Sequence, residues 1–596
     1  MEGLLASGGP RANPSPTDSD GPTVEVSTDA VSTTARAQAA PYAEEVPGEN
    51  GKAETQQGAS EDLQLTLISS EVAHPFKPSQ SLPDMQGSDT QSTITCVPDA
   101  EFSPSVQWIM DKADEKQAFQ GGFAVDVLSN PATPGKWMNF LSVRMKPPVH
   151  APLPPQDEAM RLLEVFFSAH NRFFPLYDYP SFMLLAQQEF AGQPDKRVGW
   201  WASLNAALAV GIRLQNPADT SRESSAQAWG YMHNALSVLP ELTMRSDDLL
   251  SAQALLCMAV FTRGNGEPPS SAMLVSSALR LLQIMGLRQG KPSTERDPVI
   301  ARQSNRTFWF AYMLDTENTM VSNLPLLQDP STLNIELPAE ESPDGLGTIP
   351  LEDGTGQFNL FRAMSELSVI AAKAFQALYA PNVRQRPETE IVKTMLDLEQ
   401  QLEEWKAAID IDFQPEYEIN TADPYLRHYI LVLHFQYYTC LSNIHFAALT
   451  LRRSTGDTSC QNQIISSRAI YSSCARAMVR MTRNVAVDIP AFVWRILCYP
   501  ILASMALFVG IREDPTAPRA LTDAALLGSW TSLLSKMKDH DSGSVGQIRR
   551  LLLELERLSR EVVNQAQSTS KGNKCTGTYM FCLSQVQEAY SISTLD

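Results

Sequence analysis

The stretch SDDLLSAQALLCMAVF, Ser246 to Phe261, carries two apolar stripes at helical spacing. Leu249, Gln253, Leu256 and Val260 make one, and Leu250, Ala254, Cys257 and Phe261 make the next. Adjacent stripes of this kind give a face too wide for a surface helix, so the segment reads as a helix packed inside a protein interior. Asp247 and Asp248 stand at its start, where carboxylates cap free N–H groups and complement the helix dipole. Gly264 and Gly266 end it. A second helix from Ser271 places Leu274, Ala278, Leu281 and Met285 on one face and stops at Gly286 followed by Leu287, the order of a glycine C-cap.

The same period extends in both directions. Trp200 to Leu214 is apolar on most sides, and Asp157 is expected to cap a helix through Asn171 with Met160, Leu163, Phe166, Phe167 and His170 on one face. Past Asp315 the period is lost through Asn323-Leu324-Pro325 and a Pro, Gly and acidic loop from Leu337 to Gln357. Helical patterns return at Phe358–Tyr379, Glu388–Ile411, Asp423–Leu451, Cys460–Asn484, Trp494–Ile511, Ala520–Leu534 and Ser544–Gln567. No strand-like alternation competes and no repeat of 20–50 residues is present, so the expectation is one large all-α domain over 151–567, with a polar tail at 568–596. The apolar run Ile496 to Ile511 contains Pro500 and is shorter than the roughly 20 residues a membrane span needs, so it reads as a buried helix.

The charge is segregated. The chain has 596 residues with 47 Lys and Arg against 67 Asp and Glu, a net charge of −20. Residues 1–100 alone hold 15 acidic and four basic residues. That stretch is rich in Ser, Thr, Pro, Gly and Ala without a period, and it lacks the apolar area to offset its ordering entropy. Residues 1–150 are therefore expected to be a disordered acidic arm, closed by the joint Pro147-Pro148-Val149-His150-Ala151-Pro152-Leu153-Pro154-Pro155. Within it, residues 106–140 intersperse Trp108, Phe119, Phe123 and Trp137 with Asp111, Asp114, Glu115 and Asp126. That alternation suits an activation segment and equally an irregular arm packed on the next domain. No basic stretch followed by an apolar run opens the chain, and its eight cysteines are scattered. An intracellular protein with reduced thiols is expected.

Several chemistries lack their residues. No Cys-x2-Cys or Cys-x4-Cys pair exists for a zinc site, and no His-Glu-x-x-His. Gly264-Asn265-Gly266 follows a helix where a dinucleotide fingerprint follows a strand. No Walker sequence and no Gly-x-Ser-x-Gly occurs. Neither a metal nor another cofactor is expected, and Arg452-Arg453 and Arg549-Arg550 are too short to be DNA patches. His434 and His445 share a helix face and read as satisfied histidines.

Over 152–338 the ordered motifs resemble the fungal-specific transcription factor domain, the helical regulatory region of fungal zinc binuclear cluster factors. They are Phe174-Pro175-Leu176-Tyr177, Pro180-Ser181-Phe182, Trp200-Trp201 before an Ala-rich helix, Gly286-Leu287-Arg288, and Arg306-Thr307-Phe308-Trp309-Phe310-Ala311-Tyr312-Met313-Leu314-Asp315 with Pro325 after it. Arg288 replaces the family's His, and Asn323-Leu324-Pro325 replaces its Gly-Arg-Pro. Leu398 to Trp405 and Tyr499-Pro500 extend the similarity toward the C-terminus. The resemblance implies a nuclear regulator of RNA polymerase II genes, associated with metabolic gene clusters and not an enzyme. The family's DNA contact is a six-cysteine cluster, and an acidic arm stands in its place here.

The expected partners are therefore a DNA-binding protein and the transcription machinery, with promoter DNA reached indirectly and no membrane; a homodimer and a heterodimer both stay open. Three alternatives remain: a zinc cluster encoded upstream, an all-helical enzyme, and a passive scaffold. Trp200, Trp201, Phe308, Trp309 and Tyr312 read first as core and second as the wall of a regulatory pocket. Arg306 and Asp315 are half a turn out of phase, so they cannot pair along one helix, and each is expected to anchor a neighbouring element.

Overall fold

The computed structural model describes residues 150–572 apart from 216–221, 247, 265–267, 287–296, 323, 352–355, 381, 382, 384, 452–457 and 536–543. The expected acidic arm with its 106–140 segment, and most of the expected tail, lie outside the described residues. The described part is all-α apart from one short hairpin.

The first half is built around two helices that are apolar on nearly every side. α1 (Gln156–Phe166) leads through a π-turn at Phe167–Asn171 to α2 (Tyr179–Phe190) and α3 (Val198–Leu214); α4 (Arg222–Ser237), α5 (Leu239–Met244), α6 (Leu249–Arg263) and α7 (Pro268–Ile284) follow. α3 and α6 lie against each other at the centre, covered by α1, α4 and α7. Gly199 lets α3 approach the Ser251 backbone of α6 closely, and Gly211 lets it approach the Leu162 carbonyl of α1. Asp248 caps α6 by accepting from the Ser251 amide at 2.7 Å. Gly286 follows α7 with φ +77°, the left-handed conformation a glycine stop uses.

α1 departs from expectation at both ends. Pro155 is its N-cap and Asp157 lies in the first turn without capping anything by its side chain. The helix does not continue to Asn171: the extra residue of the π-turn rotates His170 and Asn171 inward, to 4% and 1% exposure. Asn171 then brackets the following loop, accepting from the Tyr177 amide at 2.8 Å and donating to its carbonyl at 2.9 Å. At the proline joint, Ala151 exchanges hydrogen bonds of 2.9 and 2.8 Å with the Asn234 side chain of α4.

α8 (Pro298–Ser322) connects the halves, lying against α7 on one side and α9 (Leu360–Tyr379) on the other. It runs seven residues past Asp315, where the sequence reading lost the period. The reason is that Asp315, Thr316, Glu317, Asn318 and Thr319 are polar and all buried, so apolar spacing does not mark this turn. Between α8 and α9 the expected loop contains an antiparallel pair, β1 (Thr348–Pro350) and β2 (Gln357–Asn359), with Ile349 opposite Phe358. The fold stays all-α apart from this hairpin, whose three-residue strands are too short to show alternation in the sequence.

The second half comprises α10 (Glu388–Ala407), α11 (Pro424–Leu449), α12 (Thr458–Met481), α13 (Pro490–Ile496), α14 (Cys498–Glu513), α15 (Ala520–Leu534) and α16 (Ser544–Gly572). The single helix expected over Trp494–Ile511 is two, meeting at Leu497 with a bend of 48°. Pro500 accounts for the break, since it has no N–H for the Ile496 carbonyl and its ring clashes there. Among the described residues no single helix is long and apolar enough to cross a membrane. One contiguous apolar core runs through both halves, with a small satellite of Ile511, Ala520, Ala524 and Val563.

Candidate functional site

The motif residues fall into three groups that do not meet at one site. Phe182 of α2 packs its ring 5.0 Å from Trp200 of α3, whose indole donates to Glu189 at 2.9 Å; Trp201 is half-buried against His150. Pro180 is exposed in the first turn of α2, and Pro325 is exposed after α8. Phe308, Trp309 and Tyr312 form a second aromatic cluster on α8, all but excluded from solvent. Gly286 is a helix stop. Most of the motif is therefore packing.

The charged ends of the motif are struts. Arg306 holds Asp344 with both terminal nitrogens, at 2.8 and 2.6 Å, and donates to Ser342 at 3.0 Å. Burial alone would raise the Asp344 carboxyl, but the Arg306 bonds and charge, with the Leu346 amide and Ser342, bring it well below the usual range. Asp315, half a turn away, accepts from the Leu327 amide at 3.0 Å. With one hydrogen bond against its burial, its pKa is raised to about 6. Trp309 adds an indole bond of 2.7 Å to the Glu336 carbonyl. Together these tie the 324–346 loop onto α8.

Phe174-Pro175-Leu176 is docked from behind. Gln303 of α8 donates to the Pro175 carbonyl at 3.0 Å and to that of Leu176, and Gln253 of α6 donates to Leu176 as well. This fixes Phe174 against Tyr429 and Phe310, at ring separations of 5.0 and 5.4 Å. Phe174, with Phe310 and Leu314 of the α8 motif, reaches a cavity.

That cavity, about 50 Å³, lies where the π-turn, α3, α6, α8, α11 and α13 converge. Its apolar walls include Phe174, Val210, Val260, Phe310 and Phe492, and its polar ones His170, His428, Arg263 and Arg495, with Arg213 also on its lining. His428 stacks on Phe492 with centroids 3.8 Å apart and planes within 4°. His170 Nδ1 is 2.7 Å from the Tyr429 hydroxyl, and its Nε2 has no partner. Burial, with Arg495 nearby, brings the His170 pKa down to about 3 and that of His428 well below its ordinary value, so both rings are neutral.

Behind the cavity lies a buried ion cluster. Glu317 Oε1 is 2.5 Å from Arg263, 2.8 Å from Arg495 and 2.6 Å from the Tyr499 hydroxyl. Oε2 has no hydrogen-bond partner. Arg263 also donates to Asn318 at 2.8 Å. Burial pushes the Glu317 carboxyl up, but Arg263 and Arg495 together with the bonds from Tyr499 and Arg495 outweigh it, and the group is held below its usual value. Two guanidiniums against one carboxylate leave a surplus positive charge beside the cavity. Glu317 also lines a second cavity of about 30 Å³ on the α9 and α11 side.

Sequence reading missed this site. Its signals were present: a lone Arg495 in an apolar run, and the polar stretch Asp315–Thr319 where a helix should bury apolar groups. Neither identifies a partner, because Glu317 and Arg495 are 178 residues apart. His434 and His445 are both buried; His434 Nε2 contacts the Phe413 carbonyl at 3.0 Å, and Glu399 of α10 lies 3.3 Å from His445.

Comparison with known proteins places residues 163–407 in the family described as the fungal specific transcription factor domain. The matched region covers α1 to α10 and stops before α11 and α13, which complete the cavity. An ABC-transporter-regulating transcription factor of Aspergillus fumigatus is 35% identical over 491 residues, 79% of this chain and 54% of the relative, and its Aspergillus oryzae counterpart matches equally. The fusaridione A cluster transcription factor of Fusarium heterosporum is 27% identical over 408 residues, 67% of this chain and 77% of the relative. The chain spans about half the length of the two Aspergillus relatives it matches.

Proposed function

We propose, from the premise that this chain is a member of the fungal-specific transcription factor domain family, that it regulates RNA polymerase II genes in the nucleus through its helical domain. The carrying observation is that ordered similarity to transcription factors continues over 491 residues, well beyond the matched domain. The genes we assign to it are those that make or export a small molecule. The Fusarium relative is named for a metabolite cluster, and the Aspergillus relatives for the ABC transporters they regulate.

We further assign promoter contact to a DNA-binding partner rather than to the helical domain. Several arginines of the domain face carboxylates: Arg468 on Glu513, Arg483 on Glu418, Arg557 on Glu554 and Glu561, and the largely buried Arg476 on Asp523. Guanidiniums so engaged, on a chain of net charge −20, offer phosphates little. The competing reading, a zinc cluster in a longer form of the protein, is favoured by the fractional coverage of the Aspergillus relatives.

Two measurements test this. Fused to a heterologous DNA-binding module, the chain is expected to change transcription of a reporter carrying that module's site; an unchanged reporter overturns the regulatory reading. The purified chain is expected not to retain promoter fragments at low salt. Retention that falls with log salt overturns the partner assignment.

A further inference from the structure

The cavity between α3, α6, α8, α11 and α13 has the chemistry of a ligand site, and its contents can be read from charge, shape and one unused donor. The charge is positive: Arg263 and Arg495 share the single carboxylate Glu317, Arg213 adds a third guanidinium to the lining, and the two histidines are neutral. Excess positive charge in a largely buried site is costly, and a bound anion offsets that cost. The walls are aromatic. The unused group is His170, 4% exposed, whose Nε2 lacks a partner while Nδ1 is engaged by Tyr429. We assign the Tyr429 hydroxyl as donor to Nδ1, which places the proton of the neutral ring on Nε2, a donor with nothing to donate to. A volume of about 50 Å³ holds about four waters, the space of a short-chain organic acid.

We propose that this cavity binds a compact organic monocarboxylate, its oxygens taking hydrogen bonds from Arg495 and His170 Nε2 and its apolar body lying against Phe174, Phe310 and Phe492. The ligand joins elements of both halves: the π-turn before α2, α8 at the centre, and α11 and α13 beyond the matched domain. Occupancy therefore stabilises the seam between the halves, which is how a small molecule can bias a regulatory domain. The proposal deepens the regulatory reading but is tested apart from it: binding is read on the purified chain and regulation on the tethered reporter, so either can fail alone.

The test is calorimetric titration and thermal unfolding of the purified full chain with sodium propionate, against propionamide and against sodium chloride at equal ionic strength. Propionate is expected to bind saturably and raise the melting temperature, with the neutral amide weaker by about tenfold or more, the value of a charge-assisted hydrogen bond. Val260→Phe fills the cavity from a half-buried position and leaves every residue of the ion cluster in place, and is expected to abolish the propionate response while melting like the parent chain. Arg495→Gln and His170→Ala are each expected to weaken binding about tenfold and serve should the filled variant not fold. Equal responses to propionate and propionamide, a chloride response as large, a Val260→Phe chain that still binds, or no response up to about 10 mM propionate would each overturn the site.

Discussion

Arg495 Nη1 on α13 lies 2.8 Å from Glu317 Oε1 on α8, across 178 residues of chain. Glu317 is the hub of the cluster, since Arg263 and Tyr499 converge on the same oxygen. Removing the hub leaves two buried cations facing each other, whereas removing one arm leaves a matched pair. Glu317→Gln is expected to destabilise the chain by about 3–5 kcal/mol and Arg495→Gln by about 2 kcal/mol. Urea denaturation at pH 7 measures both. Equal losses would mean that Glu317 is not the organising group.

Arg306 is expected to act locally. Arg306→Ala frees Asp344 and Ser342, so the amides of Leu346 and Gly347 should exchange hydrogen faster while those of α3 and α6 keep their protection. The stability cost is about 2 kcal/mol, that of losing a charge-assisted pair. A uniform loss of protection over the whole domain would show that the loop is not an independent unit.

Stability is expected to fall in mild acid. His170, held near pKa 3, His434, near 4, and His428, well below its ordinary value, are all neutral in the folded chain because they are buried. Unfolded, they take up protons below about pH 6.5, so acid favours the unfolded chain. Asp315 acts oppositely. Its folded pKa of about 6 exceeds the unfolded value, so its contribution is present at low pH and is lost as pH rises through 6. Near pH 5, three protons taken up against one released leave a net two, a slope of about 2.7 kcal/mol per pH unit. Asp315→Asn should steepen it to about 4 kcal/mol per unit. Denaturation series between pH 5 and 6.5 give the slopes, and a flat profile would contradict the neutral histidines.

Two glycines separate backbone from packing effects. At Gly286 a Cβ meets nothing within 4 Å, so Gly286→Ala carries only the left-handed φ penalty, about 1 kcal/mol. At Gly211 a Cβ runs into the Leu162 carbonyl oxygen, and Gly211→Ala must push α1 off α3 at about 3 kcal/mol. The ranking is checked by thermal melts of the two variants. A milder effect at Gly211 would mean that α1 shifts freely.

Much of the fold is legible because the interior helices carry their own period: the stripes of α6, the all-round apolar α3, the glycine after α7. α4 and α5 were not legible, being short of apolar stripes, nor was the end of α8, whose buried groups are Asp315 to Thr319. The motif residues were visible in the sequence, but only Phe174, Phe310 and Leu314 among them line the cavity. What makes that cavity a site comes from coincidences in space. His170 looked like one more residue on an apolar face, and its environment is set by Tyr429, 259 residues away. No local pattern encodes such a meeting.

The order of these residues along the chain also sets a schedule. Synthesis at about 5–20 residues per second makes Glu317 roughly 10 to 35 seconds before Arg495 exists. During that interval the carboxylate has Arg263 as its companion, and neither Tyr499 nor the α13 wall has been made. The interior around α8 is therefore expected to stay hydrated until the helices that carry Arg495 and Tyr499 have been made.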